Sequence, residues 1–233
     1  MRKLDESLLT HLAPFESLTK GEIREILDLA VSHRYEVGDT VFHESAPADR
    51  FFLLLDGYIR VVRMTAEGEF VTMMHIPPGQ MFGIADAFGH TKYPASAVAA
   101  SETIALSWPT RFWSEFEVRY AGFSAASHHT IGKRLNEMHD RMVEMATQLV
   151  ERRVANALLR LITQMGRKTA NGIEVDFPIT RQDISEMTGT TLHTVSRLLS
   201  AWEKQGIVES RRKRILVSQP QRLAILAEPG SQT

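Results

Sequence analysis

The stretch ITRQDISEMTGTTLHTVSRLL (179–199) constrains the fold of this chain more than any other. Thr180 stands before a short helical pattern, and Asp183 follows three residues later, the spacing of a capping box built with the shorter acid. Ile184 and Met187 would bury one side of that helix. Gly189 sits where a tight reversal needs positive φ. Thr190 or Thr191 then caps a longer helix whose apolar positions Leu192, Val195, Leu198, Leu199 and Trp202 repeat with helical period. Two helices joined by so short a turn predict a helix-turn-helix.

Beyond Gly206, IVESRRKRILV reads as two strands joined by a basic turn, which makes the motif a winged one. The second helix of such a motif enters the major groove with its N-terminal residues at base edges. Facing away from Val195 and Leu199 are Thr191, His193, Thr194, Ser196, Arg197 and Ser200. Arg197 is the strongest base reader, because a guanidinium reaches both guanine O6 and N7. Ser196 and His193 are the other base-contact candidates. Thr180, Thr191 and Thr194 are placed for phosphates near helix N-termini. Arg211, Arg212, Lys213 and Arg214 would lie along the backbone and add salt-sensitive affinity without sequence choice. A protein-binding winged domain is the competing reading, and the basic wing argues against it. Charge is split in the same sense: residues 1–146 carry 14 Lys/Arg against 20 Asp/Glu, whereas 147–233 carry 13 against 8.

The rest of the chain divides into two regions. Residues 37–107 read as short strands: RFFLLLDG (50–57) and YIRVVRM (58–64) flank a hairpin signal at Asp56–Gly57, TAEGEF (65–70) gives the next reversal, and FVTMMHI ends at Pro77–Pro78–Gly79. Such spacing favours an antiparallel roll or barrel. Ahead of it, 18–31 predicts a helix capped by Thr19 with Glu22. In the second region, 111–150, Ile131, Leu135, Met138, Met142, Met145 and Leu149 alternate spacings of four and three. That is a heptad seam flanked by Lys133, Arg134, Glu137, Asp140, Arg141 and Glu144, and it predicts a two-stranded coiled coil with a second copy of the chain. The expected class is α+β: a β-roll sensor domain over 1–110, a dimerisation helix over 111–150 and a winged helix-turn-helix domain over 151–233. Residues 228–233 read as a frayed tail.

Several function classes fall away. The chain has no cysteine, so disulfides, thiolate-held iron–sulfur clusters and Cys-ligated zinc are chemically impossible. No run of about 18 apolar residues predicts a membrane span, and the N-terminus lacks a signal-peptide pattern, so a cytoplasmic location is expected. No nucleotide loop, HExxH or nucleophile elbow suggests an enzyme. A purely structural dimer would explain the seam but not the basic wing.

Taken in order, RFFLLLDGYIRV, GQMFG (79–83), the long helix and ITRQDISEMTGTTLHTVSRLL resemble the Crp/Fnr family of bacterial transcription regulators over almost the whole chain. The resemblance implies a cyclic-nucleotide-binding-like β-roll (a jelly roll), a homodimer on near-palindromic double-stranded DNA, control by a small effector, and RNA polymerase as a further partner. Members that bind cyclic AMP use an Arg-Ser pair for the phosphate. Here that place reads Tyr93–Pro94, which offers no positive charge, so cyclic nucleotide binding is not expected. The pattern, including YPASAVA, is similar to the nitric-oxide-responsive regulators of denitrification, which implies haem; another effector, or none, is the alternative. A haem iron would need a histidine ligand. Of His11, His33, His43, His75, His90, His128, His129 and His139, the resemblance gives no ranking, and His11, in an N-terminal arm able to lie over the pocket, is the first candidate. The reading helix departs from the family at His193, where a glutamate is common, while Ser196–Arg197 keep the Ser-Arg pair of the oxygen-sensing branch.

Overall fold

A computed structural model describes residues 5–228 of the chain; residues 1–4 and the end of the expected tail, 229–233, lie outside it. The chain forms two compact units. One gathers the chain up to Val61 with His75–Met138, and the other joins Val62–Met74 to the chain from His139 onward.

The first unit begins with α1 (Lys20–Asp28). Its start is fixed as the sequence predicts: Thr19 Oγ1 accepts from the Glu22 N–H at 3.3 Å, and Glu22 Oε2 accepts from the Thr19 N–H at 2.8 Å. The strands β1 (Val31–Tyr35), β2 (Thr40–Phe42), β3 (Arg50–Asp56), β4 (Ile59–Met64), β5 (Phe70–Ile76), β6 (Met81–Phe82), β7 (Ser96–Ala99) and β8 (Thr103–Pro109) come next. They build two four-stranded sheets, ordered β1-β8-β3-β6 and β2-β7-β4-β5, the expected β-roll. Strand β1 precedes the strand region read from sequence.

The unbroken apolar run of β3 is explained by burial on both of its faces. Phe51 and Leu53 join a cluster with Leu106, Trp108, Trp113, Phe116 and Phe123, whereas Phe52 and Leu54 join Ile59, Ile76, Phe82, Ala97 and Ala105. Each buried Phe, Leu or Ile of these clusters contributes about 1.5–3 kcal/mol by burial. The indole N–H of Trp108 donates to the Ile26 carbonyl at 2.8 Å and ties β8 to α1.

The expected hairpin at Asp56–Gly57 is not one. Strand β3 pairs with β8 and β6, while β4 belongs to the other sheet, so the chain changes sheets at this turn. Its bonds go to the β7–β8 connection: Tyr58 N–H donates to Ser101 Oγ at 2.9 Å, and its carbonyl accepts from Ala100 N–H at 2.8 Å. Gly57, at φ 82°, passes so close that a Cβ would lie 2.2 Å from the Glu102 carbonyl oxygen. The glycine serves close approach rather than a two-residue reversal. The TAEGEF reversal does join neighbouring strands, β4 and β5.

The helix expected over 111–150 is interrupted. It consists of α2 (Trp113–Arg119), α3 (Ala121–Thr147) and the start of α4 (Val150–Met165). Tyr120 breaks the first junction at φ −119°, ψ 85°, because its ring is buried and its hydroxyl donates to Glu25 Oε2 at 2.9 Å. Leu149 breaks the second, extended at φ −63°, ψ 151° as the N-cap of α4.

In the second unit α4 buries Val154, Leu158, Leu161 and Ile162 and packs on β9 (Gly166–Thr169), β10 (Gly172–Val175), α5 (Arg181–Thr188) and α7 (Pro220–Ala227). Between α5 and α7 come α6 (Leu192–Lys204), β11 (Val208–Arg211) and β12 (Arg214–Val217). The sheet order is β11-β12-β10-β9. Helices α5 and α6 and the β11–β12 wing stand where the sequence pattern predicts them, whereas β9, β10 and α7 add to it. Among the described residues no helix is long and apolar enough to cross a membrane.

Candidate nucleic-acid interface

The helix-turn-helix is set by short-range chemistry. Asp183 Oδ2 accepts from the Thr180 N–H at 2.7 Å and from its hydroxyl at 2.6 Å, while Thr180 Oγ1 accepts from the Asp183 N–H at 3.1 Å. Gly189 ends α5 in the left-handed region at φ 59°, ψ 42°. Thr191 then caps α6 by accepting from the Thr194 N–H at 3.2 Å, with the two hydroxyls 2.9 Å apart. Val195, Leu199 and Trp202 fix the inner face of α6. Leu192, expected on that face, is 46% exposed, because it is the first residue of α6 and has no preceding turn to pack against.

The motif is braced from outside itself. Arg153 of α4 donates to the carbonyls of Thr188 (3.1 Å) and Gly189 (3.4 Å), placing a cation at the C-terminal end of α5 where its dipole favours one. At the other end, Arg181 donates to Glu203 Oε1 at 3.1 Å and to Ser210 Oγ at 3.1 Å, and the Ser210 N–H donates to the same Glu203 oxygen at 2.9 Å. That carboxylate joins α5, α6 and β11.

The outward face of α6 carries the predicted readers. His193, Arg197 and Thr191 are exposed, and Thr194 and Ser196 are partly so. Arg197 enters none of the ion pairs found among the described residues, which leaves its five donors to solvent. Thr180 is partly exposed, with its hydroxyl engaged in the cap.

In the wing, β11 and β12 pair with Arg211 opposite Arg214, and the turn consists of Arg212 and Lys213. All four side chains are exposed, yet they differ in charge balance. Arg214 grips Glu174 through both Nε and Nη2, the latter at 2.6 Å, and Glu174 is itself buried on β10. The hydrogen bond and charge of that carboxylate raise the Arg214 pKa above its ordinary value. Its cation is matched within the domain. Arg211 lies 3.6 Å from Glu209, a weaker and exposed pair. Lys213 adopts φ 57°, a conformation that costs a non-glycine residue about 1–2 kcal/mol. The turn thus keeps a cation where a glycine would be less strained.

The seam residues fall into two groups. Leu135, Met138, Met142 and Met145 form an exposed apolar stripe on α3. Ile131 is drawn partly onto the core of the first unit, and Leu149, though 64% exposed, lies past the end of α3. Arg134, read only as a flanking charge, turns inward: its Nη2 donates to the Met81 carbonyl at 2.6 Å and to Gln80 Oε1 at 3.3 Å, pinning α3 to β6. Burial pushes its pKa down to about 10. Its acceptors lie in the GQMFG segment, a signal that marks the family but says nothing of where its carbonyls point.

On the sensor side the candidates do not converge. His11 is exposed, and it is the adjacent Leu12 that packs against the core, with its Cδ2 3.1 Å from where a Cβ would stand on Gly79. The residues around His11 therefore do not form an apolar slot with an inward imidazole, and they do not fit haem. His33 accepts or donates a 2.8 Å bond with Ser107 Oγ, and burial lowers its pKa. His75 is buried on β5, His128 lies 3.4 Å from Glu117, and His43, His90, His129 and His139 are exposed. No group of three metal-ligating side chains gathers among the described residues. Tyr93 is buried: its ring stacks on Phe42 at 3.8 Å between centroids, and its hydroxyl donates to the Arg50 carbonyl at 2.6 Å. Burial pushes its pKa up to about 12.

A β-roll, a long helix with an apolar stripe and a winged helix-turn-helix with a cationic outer face together define a DNA-binding transcription regulator. Residues 152–226 match the Crp-like helix-turn-helix domain and residues 32–119 the cyclic nucleotide-binding domain. Over 219 residues the chain is 25% identical to the CRP-like cAMP-activated global transcriptional regulator of Mycobacterium tuberculosis, covering 94% of this chain and 98% of that one. It is 27% identical over 215 residues to the nitrogen fixation regulation protein FixK of Bradyrhizobium diazoefficiens, covering 91% of this chain and 88% of that one. The structure of FixK2 from Bradyrhizobium japonicum has the same fold, with a TM-score of 0.76 at 23% identity, covering 87% of this chain and 99% of that one. The chain belongs to the Crp/Fnr family of transcription regulators, whose members bind DNA and act as dimers and are not enzymes.

Proposed function

We propose that two copies of this chain pair along the α3 stripe and set their α6 helices into successive major grooves of a near-palindromic site, about 34–36 Å apart. The observation that carries the reading is the exposed Arg197 on the outer face of α6, flanked by His193 and Ser196 and preceded by the Thr191 cap. Arg197 reads guanine, His193 and Ser196 contact neighbouring bases, and Thr180, Thr191 and Thr194 meet phosphates. Arg212 and Lys213 supply the wing's backbone contacts, with Arg211 beside them and Arg214 adding less because Glu174 already matches its charge. A mobility-shift titration tests this. Arg197→Gln should weaken specific binding by about 1–3 kcal/mol and relax one position of the half-site. His193→Glu should change preference at the adjacent pair, and unchanged preference for both variants would refute the reading.

A small effector bound by the β-roll would control this binding. Cyclic nucleotide is a poor candidate, because Tyr93 fills the place of the family's cation with a buried ring. The subgroup resemblance instead proposes nitric oxide sensed through haem, although His11 does not suit the axial role. Absorption spectra of protein purified with and without haem decide the matter. A Soret band that shifts with the gas and changes DNA affinity supports haem, and absence of stoichiometric haem leaves a different effector.

A further inference from the structure

The outer part of the β4–β5 hairpin, Val62–Met74, belongs to the compact unit that contains the helix-turn-helix, while the strand ends Ile59–Val61 and His75–Ile76 stay with the first unit. Arg141, on the C-terminal part of α3, holds it there. Its guanidinium donates to the carbonyls of Met73 and Thr72 on β5, the latter at 3.1 Å, and to the Met187 carbonyl of α5 at 2.9 Å. Thr72 is fully buried, and its hydroxyl donates to Glu186 Oε2 of α5 at 3.3 Å. Past these bonds the hairpin tip overhangs a cleft of about 730 Å³. One wall is Gly68, Glu69, Phe70 and Val71; the other includes Thr190, Thr191 and Leu192, the N-terminus of the reading helix. The tip is acidic, with Glu67 and Glu69 both exposed.

We propose that this hairpin is an autoinhibitory clasp, with Arg141 as its positioning residue. The inference rests on the reading of α6 as the DNA-contacting helix. Phosphates must approach the α6 N-terminus to meet Thr191 and the first-turn N–H groups of the helix. In the clasped state they meet the carboxylates of Glu67 and Glu69 instead, because the hairpin tip forms the wall facing Thr191 and Leu192. Release of the hairpin opens that end of α6. The clasp thus couples the β4–β5 strands of the sensor sheet to DNA affinity through backbone carbonyls, so it responds to displacement of β5 rather than to any one side chain of the sensor.

The chain has no cysteine, so a Thr72→Cys/Glu186→Cys pair carries the protein's only thiols. This variant is joined with a short bis-methanethiosulfonate linker, reopened with dithiothreitol, and titrated by fluorescence anisotropy against promoter duplex. The linked form should bind at least about tenfold more weakly than the same protein after reduction, the change expected for loss of a binding-competent fraction of that size. Without linker, Arg141→Gln should bind at least about tenfold more tightly than the parent in the absence of effector, since each of the three charge-assisted hydrogen bonds it removes is worth about tenfold or more. Equal affinity of linked and reduced forms overturns the clasp, even if Arg141→Gln fails to fold. Failure of parent and reduced forms to bind any duplex overturns the DNA-binding assignment of α6 and the clasp with it.

Discussion

Replacing Met142 with glutamate should dissociate the dimer, and the size of the effect can be worked from how much of the side chain the monomer leaves in water. Met142 is 69% exposed, more than Leu135 (48%), Met138 (39%) or Met145 (44%). Full burial of a methionine contributes about 1.5–3 kcal/mol, so the exposed share is worth about 1–2 kcal/mol when a partner covers it. Two-fold symmetry repeats the contact, giving about 2–4 kcal/mol per dimer. At tenfold per 1.4 kcal/mol this is a rise in dimer Kd of about 30- to 700-fold, before adding the desolvation of two carboxylates facing each other across the seam. Glutamate is a good helix former, so α3 itself should persist. Sedimentation equilibrium measures the constant, and circular dichroism checks the helix. Val143→Glu is the control: Val143 is 60% exposed on the same helix but stands one residue off the stripe. A Kd for Met142→Glu within tenfold of the parent, or an equal loss with Val143→Glu, would refute the assignment of the stripe as the interface.

Two further outcomes rest on the electrostatics. Arg212→Gln and Lys213→Gln should each reduce the slope of log affinity against log salt by about 0.9 while leaving base preference alone, as measured by binding titrations across salt concentrations. Tyr93 has its pKa raised from 10.0 to about 12 in the folded chain, so folding favours the protonated phenol; the stability it contributes is complete below pH 10 and is lost as pH rises towards about 12. Tyr120 shifts in the same direction, through burial and its bond to Glu25. Urea midpoints should therefore fall over that window for the parent and fall less for a Tyr93→Phe/Tyr120→Phe variant; parallel curves would count against the shifts.

What could be read from the sequence was what local chemistry decides. The caps at Thr19, Thr180 and Thr191 act over three residues, and Gly189 needs only its own φ, so α1, α5, the turn and α6 were legible with near-correct boundaries. Properties set by distant partners were not. Asp56–Gly57 looks like a hairpin until Glu102 and Thr103 are seen pressing on the glycine. Arg214 looks as available as Arg212, but its partner Glu174 lies 40 residues away in sequence on a strand that carries no alternating pattern. Arg134 and Arg141 read as the charged flank of a seam, yet Arg134 donates to the Met81 carbonyl of β6 and Arg141 to carbonyls of β5 and α5, and backbone acceptors leave no trace in residue identity. Leu192 fitted the apolar period of α6 and is still exposed, since periodicity says which way a residue faces but not whether anything lies beneath the first turn.

The bonds from Arg153 to Thr188 and Gly189 bear on how this reading head could be moved to another protein. Grafted alone, residues 180–204 would arrive with the end of their first helix stripped of its counter-charge, and the angle between the two helices would be left to solvent and to whatever host surface lay nearby. The smallest transplant that carries its own alignment begins at the helix bearing that arginine.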